Sequence, residues 1–315
     1  METSAVGTEL STMLSQLLGD AEIHGLRRLS GGASRETWRF EADGRPLILQ
    51  RQRAGDERDM LIEAGVVRAA GRGGAPVPEL IEARRRDDGM AFMVLEAIDG
   101  ETIARKILRD DKFASARPHL VTDFGTALAK IHALDVSSIH GLQETDQVEY
   151  YTGVLDQLGQ PHPVLELVRN WLIDTRPRSQ LSTLVHGDFR LGNMIVGPDG
   201  LRAVIDWELA HVGDPMEDLG WLCVKAWRFG GPSPVAGLGS YDQLFDAYEA
   251  AGGCSVDPVV VHWWEVLGTW KWAIMCILQA SVHLNGAARS HELAAIGRRV
   301  CENEYDLLLA LEGRW

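Results

Sequence analysis

Cysteine is scarce in this chain of 315 residues: Cys223, Cys254, Cys276 and Cys301 lie far apart, and no two form a CxxC pair. That spacing argues against a disulfide framework or a thiolate metal site and predicts reduced thiols in a cytoplasmic protein. Long basic runs are also missing, and the formal net charge is -14. Nucleic acid is excluded as a partner on that ground, because neutralising its backbone takes clustered Lys and Arg. The acidity does not exclude a nucleotide, whose phosphates a metal ion and a few local donors can hold. The N-terminus, with Glu2 and Glu9, lacks the basic start and apolar core of a signal peptide. No stretch is apolar enough for a membrane. The longest, residues 259–278, is interrupted by His262, Glu265 and Lys271, and reads as a buried helix. The Walker pattern GxxxxGK[ST] is missing as well, which argues against a P-loop protein.

What is present is ordinary globular material: 45% hydrophobic and 24% charged residues, enough for about two domains with their own cores. Leu10, Met13, Leu14, Leu17 and Leu18 follow helical spacing and predict a packing helix. Residues 22–50 alternate around turns in the manner of an antiparallel meander, with Ser30-Gly31-Gly32-Ala33-Ser34 at its first hairpin. A helical pattern follows over 56–70, with Met60, Ala64, Val67 and Ala70 on one face, and then a strand over 90–95. Beyond Gly100 the pattern turns helical, over 120–134, 148–158 and 163–173. The expected division is 1–96 and 97–315, joined by a short hinge near 95–100.

The most informative stretch is LVHGDFRLGNMIVGPDGLRAVIDWELAHVGDPMEDL, residues 184–219. It holds Asp188, Asn193 five positions on, and Asp206 thirteen further. Met194-Ile195-Val196 reads as a short strand, 197–200 as a turn, and 201–207 as the next strand. The hairpin brings both acids and the amide to one end of a small sheet. Phosphoryl transfer asks for that set: a carboxylate to take a hydroxyl proton, plus hard oxygen ligands for Mg²⁺. The spacing is also that of the catalytic loop and metal-binding Asp of the protein-kinase fold.

The motif HGD-x4-N, followed by IDW and GDP-x2-DLG, resembles the aminoglycoside phosphotransferase and choline kinase superfamily. WELAHVGDPMEDLGWL is most similar to the kinase domain linked to certain acyl-CoA dehydrogenases. The resemblance spans most of the chain, with its specific motifs between His186 and Trp221. It implies an α+β, two-lobed, protein-kinase-like fold with a small antiparallel-sheet lobe and a larger helical lobe. It also implies ATP and Mg²⁺ as cofactors and transfer to a small-molecule hydroxyl acceptor.

On that basis Asp188 is the expected catalytic base, and Asn193 and Asp206 the metal ligands. Glu208 joins the metal if its backbone is strand-like, since i and i+2 then share a face; otherwise it is structural. His186 is expected to brace the loop, and the resemblance gives Asp218 a similar task. Asp214 is expected to cap a helix starting near Pro215. Gly31, Gly32 and Ser34 are expected over the phosphates. No Lys is available on the strand 47–51, so Arg51 is the expected phosphate-pairing cation, with Glu63 as its partner; a one-residue shift would turn Gln50 inward instead. Glu96 and Ile98 are expected to offer backbone groups to adenine.

The acceptor is less legible. Lys225 and Arg228, three apart and expected on one helical face, suit an anionic acceptor such as a CoA thioester. The tryptophans at 263, 264, 270 and 272 read as core. A hydroxyacyl-CoA or hydroxy acid is the first expectation and an aminoglycoside or macrolide the second. A nucleotide-binding pseudokinase is the remaining alternative. Nothing in the sequence sets an oligomeric state.

Overall fold

The computed structural model describes residues 2–29, 35–53, 58–86, 89–178 and 181–314, with side chains of the first helix from Gly7 onward. The expected Gly31, Gly32 and Ser34 loop therefore lies outside the described residues. Helix α1 (Glu2–Leu17) precedes a five-stranded antiparallel sheet made of β1 (Ile23–Arg28), β2 (Arg35–Ala42), β3 (Arg45–Gln52), β4 (Leu80–Arg85) and β5 (Ala91–Glu96). The strand order is β1-β2-β3-β5-β4, and α2 (Met60–Arg72) is inserted between β3 and β4. Asp59 starts α2 by accepting the Leu61 N–H on its side chain.

Period-two alternation gives this sheet two different faces. Trp38, Phe40, Leu47, Leu49, Phe92 and Val94 pack with Leu10 and Leu14 of α1. Met93 and Leu95 face the other way, into the main core shared with α2. The sheet is therefore a plate with one face sealed by α1 and the other turned toward the rest of the chain.

After Glu96 come α3 (Ala104–Arg109), α4 (Arg117–His132), α5 (Gln147–Leu158) and α6 (Pro163–Asp174), close to the expected helical stretches. Two small antiparallel ladders follow: β6 (Thr183–Val185) with β9 (His211–Gly213), and β7 (Met194–Gly197) with β8 (Gly200–Val204). The expected hairpin is thus formed, but β8 ends two residues before Asp206, which adopts a left-handed backbone with φ 69°. Helices α7 (Met216–Cys223), α8 (Tyr241–Ala250), α9 (Pro258–Leu284), α10 (His291–Ile296) and α11 (Arg299–Leu311) complete the larger lobe. Helix α9 runs through a second core with α5 and α6, where Trp270 is fully buried and donates its indole N–H to Leu165 O. Among the described residues no helix is long and apolar enough to cross a membrane.

Candidate active site

The loop between β6 and β7 carries Asp188, and its shape is fixed by buried side chains. Asp218, at the start of α7, accepts the N–H of His186 (2.8 Å) on one carboxylate oxygen and that of Gly187 (3.0 Å) on the other. His132 on α4 donates to the same carboxylate at 3.2 Å. Burial opposes the Asp218 charge, yet these donors outweigh it and hold its carboxyl below the usual range. His186 Nε2 donates to Ile205 O, and its Nδ1 accepts the Asp188 N–H at 3.2 Å. Burial lowers the His186 pKa, which suits the neutral ring that this donor–acceptor pattern requires. Gly187 must be glycine: its φ is +79°, and a Cβ there would lie 2.4 Å from Leu209 O. His186 and Asp218 thus join the Asp188 loop to the strand and helix around it.

The Asp188 carboxylate has three donors. Trp221 Nε1 reaches Oδ1 at 2.9 Å, Arg190 Nε reaches Oδ1 at 3.0 Å, and Asn193 Nδ2 reaches Oδ2 at 2.6 Å. Asn193 Nδ2 also donates to Asp188 O at 3.0 Å, so the amide nitrogen is committed and its oxygen is left for a cation. Neither Trp221 nor Arg190 is conspicuous in the sequence as a partner of Asp188, because one comes from α7 and the other from a non-helical neighbour.

Asn193 and Asp206 line a cavity of about 420 Å³ together with Ile48, Gln50, Met93 and Leu95 of the sheet. The Asp206 carboxyl is pushed up to about 7, first by burial and then by the negative charges of Glu208, Asp188 and Glu63. Among the described residues no group of three His, Cys, Asp or Glu side chains is poised around one metal position. Magnesium held against phosphates needs only one or two protein carboxylates, the rest being phosphate oxygens and water. A half-buried carboxylate whose charge is opposed by three others, beside an uncommitted amide oxygen, fits such a cation. Asp214 accepts the Met216 N–H at 2.8 Å and so caps α7 as its position suggested.

Three expected placements are corrected. Glu208 does not face the same way as Asp206, since the left-handed turn at Asp206 breaks the strand on which that geometry depended. Its carboxylate instead meets Arg58 at 2.9 Å and Arg35 at 3.7 Å. Arg51 does not pair with Glu63. It stands opposite Glu36 in the β2–β3 ladder, on the α1 side of the sheet, and its guanidinium lies 3.8 Å from Glu36. The partner of Glu63 is Arg35. Lys225 and Arg228 occupy a single 3₁₀ turn, not an α-helical face, and diverge: Lys225 binds Asp306 on α11 (2.5 Å) and Arg228 binds Glu265 on α9 (2.8 Å). Their charges are spent on tying helices together.

Glu96 and Ile98 line the cavity where the chain leaves the sheet. The Glu96 N–H is taken by Glu79 O and that of Ala97 by Pro46 O. Lys271, halfway along α9, is a feature that sequence reading noted only as an interruption. It is 2% exposed, donates to Gly187 O at 3.2 Å, approaches Glu217 at 3.5 Å, and stacks over Trp221 at 4.8 Å. Burial opposes its charge, but the surrounding Tyr151, Glu217 and Asp188 raise its pKa.

A loop built on Asp188, an adjacent Asn and a half-buried Asp at a cleft below an antiparallel sheet defines the two-lobed kinase-like class of phosphotransferase folds. Residues 25–254 match the model of the phosphotransferase enzyme family, and the chain belongs to that family. It is 26% identical to mouse (Mus musculus) acyl-CoA dehydrogenase family member 10 over 63% of this chain and 20% of that protein. It is also 26% identical to acyl-CoA dehydrogenase family member 11 of Gallus gallus, over 90% of this chain and 40% of that protein. The chain therefore spans less than half the length of these curated relatives. A choline/ethanolamine kinase family protein from Mesorhizobium loti superposes with a TM-score of 0.66 at 21% identity, covering 99% of this chain and 98% of the other. Spectinomycin phosphotransferase APH(9)-Ia, solved with ADP and spectinomycin, gives 0.64 at 14% identity over 94% and 98%.

Proposed function

We propose that the protein transfers the γ-phosphoryl group of ATP to the hydroxyl of a small molecule, with the nucleotide in the cleft under the sheet. The observation that carries this reading is one cavity lined by Asn193, Asp206, Glu96 and Ile98, with the Asp188 carboxylate hydrogen-bonded to the Asn193 amide at 2.6 Å. ADP in the spectinomycin phosphotransferase supports nucleotide use by this fold. Ile98 is assigned the backbone contact to adenine.

Asp206 and Asn193 would hold Mg²⁺, which supplies charge neutralisation for the phosphates. Asp188 accepts or orients the acceptor's hydroxyl proton. Trp221 and Arg190 hold its carboxylate in one orientation, and general-base action by such a group typically gives about 10² to 10⁴ in rate. His186 and Asp218 set the backbone of the loop, and Lys271 holds the Gly187 carbonyl.

The acceptor we assign is a hydroxyacyl-CoA or a related hydroxy acid. Similarity to the acyl-CoA dehydrogenase family members supports it. Lys225 and Arg228 are not part of this assignment. The test is ADP release from Mg·ATP across hydroxyacyl-CoAs, free hydroxy acids, aminoglycosides and macrolides. Turnover with the acids or thioesters is expected; turnover with the antibiotics alone would reverse the assignment. ATP binding without turnover on any acceptor would favour a nucleotide-binding module.

A further inference from the structure

The cleft needs a fixed cation for phosphate, and β3 does not provide one. Along β3, Leu47 and Leu49 pack against α1, so Ile48 and Gln50 must face the cleft. Where strand β3 would offer its cation stands an amide, and the Gln50 Oε1 is buried without a hydrogen-bond partner among the described residues.

The neighbouring strand supplies what is missing. In the β2–β3 ladder Arg35 pairs with Gln52 and Thr37 with Gln50, which puts Arg35, Thr37 and Arg39 on the cleft face. Arg35 and Arg39 are the cationic side chains among the described residues that line the cavity. Arg39 is drawn to the rim by Asp99, 3.1 Å away on an exposed loop. Arg35 lies inside. It is 6% exposed, pairs with Glu63 of α2, and keeps its Nε buried without a partner among the described residues. A guanidinium has five donors and can bind a carboxylate and a phosphate together. A buried Arg with an unspent N–H, beside the expected metal ligand, is poorly explained by packing alone.

We propose that Arg35, on β2, binds the nucleotide's phosphates, and that the Arg35–Glu63 pair does in this chain what a β3 cation paired to the same helix would do. The proposal rests on the nucleotide reading of the cleft given above. It adds that the phosphate charge has moved one strand over, leaving Gln50 as the vacated position and Arg51 outside the site.

Calorimetric binding of Mg·AMP-PNP and of adenosine to the purified protein separates the two ideas. The wild-type protein should bind both. Arg35→Met should weaken Mg·AMP-PNP by about 30-fold, the size expected for one charge-assisted phosphate contact, while adenosine changes less than about threefold. Arg51→Met should leave both affinities where they were. Arg35→Met combined with Gln50→Lys should recover much of the lost triphosphate affinity, since it returns the cation to β3. If Arg35→Met does not fold, Arg35→Met with Glu63→Met removes both charges of the pair and takes its place. Equal loss for both ligands, or selective loss in Arg51→Met and not at Arg35, would overturn the assignment. A wild-type protein that binds neither ligand would overturn the nucleotide cleft and the assignment with it.

Discussion

The indole N–H of Trp221 on α7 donates to Asp188 Oδ1 at 2.9 Å, across 33 positions of sequence. The bond makes an aromatic side chain of the second core part of the reacting centre. It also fixes the carboxylate's rotation, which Arg190 and Asn193 alone would not fully define. Trp221→Phe keeps the ring and removes the donor. We expect kcat to fall about tenfold with the KM for ATP unchanged, in keeping with a loss of one neutral donor to a charged group. An unchanged kcat would show that Arg190 and Asn193 suffice.

Asp188→Asn is isosteric and keeps Trp221 and Arg190 close to an amide oxygen. Turnover should drop by about 10² to 10⁴, while ATP affinity measured by calorimetry stays within a few-fold. Retained turnover would remove Asp188 from the base role.

Asp206 gives a prediction for the protein without metal. Its folded pKa is raised to about 7, well above the unfolded value, so the folded state binds the extra proton between those two values. The metal-free protein should therefore gain stability from this group as pH falls from 8 toward 5, and lose it as pH rises through about 7. Asp206→Asn removes the charge, and Asn tolerates the left-handed backbone. At pH 8 it should stabilise the metal-free protein by about 2 kcal/mol in denaturant titrations while abolishing turnover. A destabilised variant at pH 8 would contradict the charge crowding described here.

Lys271→Met leaves Glu217 buried with only His211 as a charged neighbour, at 3.1 Å. Removing one partner of a buried pair costs about 3 kcal/mol or more, so the urea midpoint should fall clearly. Lys271→Arg should recover part of the stability, because it keeps the charge. A midpoint equal to wild type in Lys271→Met would mean that Glu217 is neutral in the fold.

Much of this architecture could be read from local pattern. The hairpin around Asp188, Asn193 and Asp206 is marked by short apolar runs about a Gly-Pro-Asp-Gly turn, and the structure places it so. The helices over 117–132, 147–158 and 163–174 follow apolar spacing that needs no tertiary information. The cation facing the cleft was not legible in the same way. Which residue of β3 faces inward depends on pairing with β2 and β5, and a shift of one residue exchanges Gln50 and Arg51. Arg35 follows the Gly-containing stretch 30–34 of the sequence, where a charged residue ordinarily signals solvent. Trp221, which donates to Asp188, and Lys271, which donates to the Gly187 carbonyl, were hidden for another reason: both lie in helices whose apolar character marks them as core. Lys225 and Arg228 misled because their spacing suits an α-helix, whereas the chain there makes a 3₁₀ turn between two helices.

Transfer to an acceptor hydroxyl through Asp188 can be followed by ³¹P NMR of the protein with Mg·ATP and a hydroxyacyl-CoA. A new phosphomonoester resonance should grow as the γ-phosphate signal declines, and it should be absent with Asp188→Asn. Loss of the γ-phosphate signal into inorganic phosphate alone, or equal signals from both proteins, would contradict transfer to an acceptor hydroxyl through Asp188.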